Sequence, residues 1–142
     1  MARLRRRIAR TDRTLYHLAY RPAEPHAVEG PYIISHGGYY YLFVSFGFCC
    51  RGTDSTYRIV VGRSDSPTGP YLDRNGTPML AGGGTEILAS HGAVIGPGGQ
   101  SVLRDSDGEL LVYHYYDGNA GGAPRPGLNL LGWDEQGWPY VY

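Results

Sequence analysis

Tyr32-Ile33-Ile34-Ser35-His36-Gly37-Gly38-Tyr39-Tyr40-Tyr41-Leu42-Phe43-Val44-Ser45-Phe46 is the stretch on which the fold turns. Two runs of aromatic and β-branched residues flank a Gly pair, and such residues pack best on a pleated, half-buried surface. The Gly pair supplies the positive φ angles that a tight antiparallel turn needs. The stretch predicts a β-hairpin, and the same grammar recurs along the chain. Ser106-Asp107-Gly108 closes another hairpin, while Asn75-Gly76 and Glu135-Gln136-Gly137 mark further turns. The runs that read as strands are Leu15 to Tyr20, Tyr32 to Ser35, Tyr39 to Phe46, Tyr57 to Arg63, Pro70 to Leu72, Glu86 to Ala89, Ser101 to Arg104, Leu110 to Tyr116, Leu128 to Trp133 and Pro139 to Tyr142. No window longer than the first dozen residues carries apolar residues at three-and-four spacing without an interrupting Gly or Pro. The class is all-β with antiparallel connections.

A shift of 70 residues lays Tyr32-Ile33-Ile34 and Tyr39 to Val44 over Val102-Leu103-Arg104 and Glu109 to His114, with turns at Gly38 and Gly108. Each pair is followed by a polar, Gly-rich loop, a third strand, a turn and an outer strand. Two units of four short strands result, at about 28–90 and 97–142, with an extra strand at 15–20. This is the pattern of propeller blades, and a sandwich of similar strand count is the alternative. Two blades cannot close a ring, so each leaves a face for another element to cover.

The length of 142 residues suits one domain, which buries about 68–70% of its unfolded surface. All 13 basic residues are Arg, balanced by 13 acids, and five of the Arg lie in the first ten residues. The other 132 residues therefore carry a net charge of −5. That balance argues against a dedicated nucleic-acid binder, which needs a basic excess on its surface. No apolar run approaches the roughly 20 residues that span a bilayer. The basic head starts as a signal peptide would but lacks the following apolar stretch, so residues 1–13 read as a solvated or partner-docking arm. Cys49 and Cys50 are adjacent and cannot staple distant segments.

Glu29 opens an apolar strand beside Gly30, which admits close approach, and Pro31, which fixes the entry. A solvated strand end is the plain reading. Among the neighbouring Tyr and Phe, its carboxyl is expected to be desolvated, with a raised pKa that suits a general acid. Asp54 and Asp117 are candidates for a second acid, against loop capping or turn formation. Cys49-Cys50 reads as a redox pair, a metal fragment or packing, and lacks the further Cys or His of a metal site. Gly82-Gly83-Gly84-Thr85 has neither the Lys nor the helix of a phosphate loop. His114 is either a pocket residue or a hydrogen-bonded core histidine.

Glu29-Gly30-Pro31-Tyr32-Ile33, Phe43-Val44-Ser45-Phe46, Phe48-Cys49-Cys50-Arg51-Gly52, Ser55-Thr56-Tyr57, Val61-Gly62-Arg63-Ser64, Thr68-Gly69-Pro70-Tyr71, Gly82-Gly83-Gly84-Thr85, Gly96-Pro97-Gly98-Gly99-Gln100-Ser101-Val102 and Val112-Tyr113-His114-Tyr115-Tyr116-Asp117 together resemble the C-terminal part of glycoside hydrolase family 43 enzymes, closest to endo-α-1,5-L-arabinanases. The resemblance runs from about Thr14 to Tyr142. It implies a partial five-bladed β-propeller with its site at the axis, inverting hydrolysis of arabinan or a related pentose polysaccharide, and Glu29 as general acid. The base and a tuning carboxylate belong to earlier blades that this chain does not contain. Phe48, Cys49, Cys50, Gln100, His114 and Tyr116 are the expected substrate-groove residues, with Phe48, Tyr116 and Tyr41 as sugar-stacking platforms.

Two departures stand out. Gly47 replaces an Asp common in relatives, and Gly99 replaces a His that in many of them holds a metal ion, usually taken as calcium. Family members are often secreted, although this chain shows no evident leader. The missing blades leave two readings: a fragment whose N-terminal blades were lost, or a homodimer or other oligomer closing the propeller. In the dimer each copy gives two and a half blades, with Leu15 to Tyr20 as the half-blade strand. A non-catalytic carbohydrate-binding or assembly module is the alternative function.

Overall fold

A computed structural model describes residues 14–142, and the basic arm at 1–13 lies outside the described residues. Eight strands form two four-stranded antiparallel sheets, each a meander in chain order. The first sheet holds β1 (Val28–His36), β2 (Tyr39–Phe46), β3 (Arg58–Ser64) and β4 (Thr85–Leu88). The second holds β5 (Val94–Asp105), β6 (Gly108–Asp117), β7 (Ala123–Trp133) and β8 (Pro139–Val141). The expected hairpin forms with His36 opposite Tyr39, and Gly37 and Gly38 both take positive φ, at 55° and 88°.

β2 is buried at every position from Tyr41 to Phe46 because both its faces are covered. Tyr41 and Phe43 join Ile34, Ile59 and Val61 in packing against Val102, Leu111, Tyr113 and Leu131 of the second sheet and Trp138 just before β8. Leu42, Val44 and Phe46 point the other way, onto Tyr71, Met79 and the partly buried Leu18 and Ala19. A strand covered on both faces reads as an unbroken apolar run instead of an alternating one. Close fit limits the second core as well: a Cβ on Gly62 would lie 2.4 Å from the Met79 sulfur.

The innermost strands of the two sheets lie side by side. The Tyr32 hydroxyl donates to the Val102 carbonyl at 3.3 Å, 70 residues on, and the Arg104 guanidinium donates to the Ser35 carbonyl. Pairing register sets the remaining exposure. Leu103, Leu128, Leu130 and Tyr140 share the face of the second sheet that points away from the first, and all four are exposed.

Several expected boundaries change. Leu15 to Tyr20 is not a strand: its Tyr20 N–H reaches the Met79 carbonyl at 2.9 Å, while Leu18 and Ala19 pack on the second core. Pro70 to Leu72 shrinks to isolated bridges at Leu72, since Pro70 has no N–H for a ladder. β5 begins seven residues before the expected Ser101, absorbing Gly96-Pro97-Gly98-Gly99 through two register shifts. β7 likewise extends back through Pro124 and Pro126, where β8 does not pair with it and the missing N–H groups break no ladder.

Burial ranks two substitutions. Ile59→Val, at a fully buried position, lowers unfolding free energy by about 0.5–1.5 kcal/mol in urea melts, whereas Leu103→Ser on the open face stays within about 0.5 kcal/mol.

Candidate active site

Glu29 stands at the start of β1 opposite Ser45 of β2. The pairing breaks between Glu29 and Tyr32, and Gly30 takes φ +56°, a left-handed conformation that costs glycine little. Glu29 is exposed, so the desolvated carboxyl expected from its aromatic neighbours is not found. The apolar side chains of β2 point into the two cores instead of over the carboxylate.

Behind Glu29 lies a buried polar network. Ser45 donates through Oγ to Gln100 Oε1 at 2.8 Å and accepts the Gly99 N–H at 2.9 Å. Gln100 in turn donates through Nε2 to the Gly30 carbonyl at 2.8 Å. Ser45 is 0% and Gln100 4% exposed, so the Gln100 amide, expected to line the groove, is turned into the protein.

The loop after β2 sits at the same end. Cys49 and Cys50 are disulfide-bonded to one another, so neither offers a thiolate to a metal. The Cys50 N–H donates to the Tyr116 hydroxyl at 2.6 Å, tying this loop to the end of β6. Phe48 carries the Arg51 guanidinium 4.0 Å from its ring centre, which occupies one face of the expected stacking platform. Gly47 has φ +93°, and a Cβ there would lie 2.4 Å from the Thr56 carbonyl oxygen, so this loop leaves no room for a side chain at 47. Tyr41 is no platform at all: it is 0% exposed, and its hydroxyl bonds the Gly137 carbonyl.

Glycines let the second sheet close in. A Cβ on Gly98 would lie 2.2 Å from the Tyr57 ring, and one on Gly99 would lie 2.8 Å from His114 Nδ1. His114 packs 5.9 Å from Tyr57 and 5.7 Å from Tyr116 between ring centres. Burial lowers its pKa, favouring the neutral imidazole. The calcium ion that the resemblance implies does not fit these residues. Gly99 brings no donor, and the His114 ring fills the space a side chain there would need. No group of three or more His, Cys, Asp or Glu stands together among the described residues, and one neutral imidazole suits a hard, oxygen-seeking cation poorly.

The two alternative acids differ. Asp117 caps a turn, accepting the Asn119 N–H at 2.9 Å with Arg125 at 3.7 Å, and Asp54 is an exposed member of the short 3-10 turn Gly52–Asp54. Glu29, the Cys loop, Gln100, His114 and Tyr116 are thus brought to one end by direct contacts, with two residues that sequence reading passed over. Ser45 was visible as a lone hydroxyl inside an apolar run, whereas the role of Tyr57 depends on Gly98, 41 residues away.

The model for glycosyl hydrolases family 43 matches residues 1–139. This chain belongs to that family. Among its family 43 relatives, an extracellular endo-α-(1→5)-L-arabinanase of Bacillus subtilis is 48% identical over 126 residues, which cover 89% of this chain and 38% of that protein. A solved family 43 endo-arabinanase from Bacillus licheniformis superposes with a TM-score of 0.84 at 50% identity, over 89% of this chain and 43% of that one. An α-L-arabinanase from Cellvibrio cellulosa, solved with arabinohexaose, gives 0.78 at 42% identity over 81% and 36%. The chain therefore spans about two-fifths of the relatives it matches.

The state of His114 sets a pH dependence. Its folded pKa is lowered, so below the ordinary value of about 6.5 the unfolded chain binds a proton that the native site resists. Stability falls as pH drops through that value, and His114→Gln flattens the fall in denaturation midpoints measured from pH 7.5 to 5.

Proposed function

We propose that this chain supplies the general-acid half of an arabinan-cleaving, inverting glycoside hydrolase, with Glu29 as the acid. The similarity to arabinanases along nearly nine-tenths of its length carries the reading, and it includes the strand that starts with Glu29. Glu29 protonates the leaving glycosidic oxygen as the anomeric C–O bond breaks. Water attacks the opposite face, and its proton passes to a carboxylate about 6.5–9.5 Å from the acid. Asp117 is engaged in its turn, and by family resemblance the base belongs to blades outside the described residues.

Two sheets of a five-bladed propeller leave an open face at each end. One presents Leu103, Leu128, Leu130 and Tyr140, and the other a groove of about 570 Å³ lined by Tyr16, Leu18, Val28, Ile33 and Val44. Neighbouring blades would cover such faces, and a second copy of this chain is the nearest source. Without a strand at 15–20, two copies bring four sheets and not five. Light scattering at the concentration of an activity assay separates the sources. A dimer mass supports cover of the open faces by a second copy, with a further blade still supplied from elsewhere, and a monomer mass assigns the missing blades to other polypeptide.

The exposure of Glu29 favours one rival, a module that binds pentose polysaccharide without turnover. Release of oligosaccharides from linear arabinan separates the two. Glu29→Gln lowers it about 10²–10⁴-fold if Glu29 is the acid. Equal binding of arabinohexaose by both proteins, with no release from either, leaves the binding module.

A further inference from the structure

We infer that Gln100 and Ser45 form a positioning clamp that fixes the direction of Glu29, and that neither is a sugar contact. This rests on the reading of Glu29 as the acid and adds to it the device that aims the carboxyl.

The irregularity in β1 creates the need. Gly30 and Pro31 have no partners in the β1–β2 register, so the Gly30 carbonyl lies outside the ladder at the point where the chain turns left-handed. A carbonyl left there without a donor would be costly, and the backbone beside Glu29 would be free to swing. Gln100 supplies the donor from the neighbouring sheet at 2.8 Å. Its own orientation is fixed in turn, because the amide oxygen accepts from Ser45, and Ser45 is held by the Gly99 N–H. Ser45 is also the strand partner of Glu29. Three strands, β1, β2 and β5, therefore converge on one peptide, the neighbour of the proposed acid.

The pieces fit too closely for ligand to share them. A Cβ on Gly30 would sit 3.4 Å from Gly99 Cα, and one on Gly98 would sit 2.9 Å from the Ser45 hydroxyl. Gln100 has an acceptor and a donor both in use at 4% exposure. Such a fully satisfied buried network specifies one geometry, and positioning of this kind matters because a shift of about 1 Å at a reacting group can cost 10²-fold in rate.

The clamp has a pH signature that mere packing lacks. In Gln100→Glu the new carboxyl, when protonated, can still donate to the Gly30 carbonyl while its other oxygen accepts from Ser45. Once ionised it has no donor and opposes that carbonyl. The experiment is an NMR titration of the labelled 142-residue chain, following the Gly30 amide and the Glu29 carboxyl carbon. Wild type, Gln100→Glu, Ser45→Ala and a control, Tyr113→Phe, are compared. The control removes a part-buried hydrogen bond to Asn129 elsewhere in the second sheet.

Gln100→Glu is expected to match wild type at low pH and to depart as the new carboxyl ionises. Ser45→Ala is expected to shift both signals at every pH, which keeps the test alive if Gln100→Glu does not fold, and Tyr113→Phe to leave them in place. The clamp is overturned if Gly30 and Glu29 track wild type in Ser45→Ala and across the Gln100→Glu titration, or if the control moves them equally. Neither result bears on whether Glu29 is the acid, which arabinan turnover by Glu29→Gln decides separately.

Discussion

The side-by-side contact of β1 and β5 is the constraint on which the rest depends. Hydrogen bonds from Tyr32 to Val102, Gln100 to Gly30 and Arg104 to Ser35 join positions 69 to 70 residues apart. One sheet is thereby set against the other in a single register. Phe43, Ile59 and Val61 then meet Leu111, Tyr113 and Trp138 across the interface, and this shared core excludes water from both sheets. A slip of one residue in β1 or β5 would turn Ile34 or Val102 out of that core and part the Gln100 amide from its partners.

The same contact determines what lies at the working end. Gly98 lets the second sheet approach Tyr57 and Ser45 more closely than any side chain would permit, and Gly99 leaves room within that sheet for the His114 ring. Gly47 lets the Cys loop fold over Thr56, and the Cys50 N–H then reaches Tyr116. Much of the chain's high glycine content is thus placed where backbone must approach backbone or a ring. The resulting rim is rigid and contains Glu29 at its exposed edge. Its buried polar groups are mostly spent within the protein, whereas the Glu29 and Asp54 side chains are exposed.

Glu29 is exposed in the described residues. Apolar surface is open at both ends of the paired sheets as well. A sheet with one apolar face uncovered has an incomplete core, and burial of Leu103, Leu128 and Leu130 against a neighbour would contribute at about 25 cal/mol per Å² of apolar surface.

The class, the hairpins and the equivalence of the two sheets were legible in the sequence, because side-chain alternation and turn chemistry act over a few residues. The family was legible too, since its motifs are short and ordered along the chain. Local pattern misjudged the ends of β5 and β7, where Gly and Pro usually break strands but here sit at register shifts or an unpaired edge. It also misjudged Leu15 to Tyr20, whose apolar residues serve a core without joining a ladder. The tertiary structure alone decided that Gln100 turns inward, that Tyr41 is core, that Arg51 covers Phe48 and that His114 takes the space beside Gly99. Arg51 and Phe48 are only three residues apart, and their contact follows from the turn of the loop between them; the others depend on groups distant in the chain meeting at a few ångströms, and no local pattern encodes such a distance.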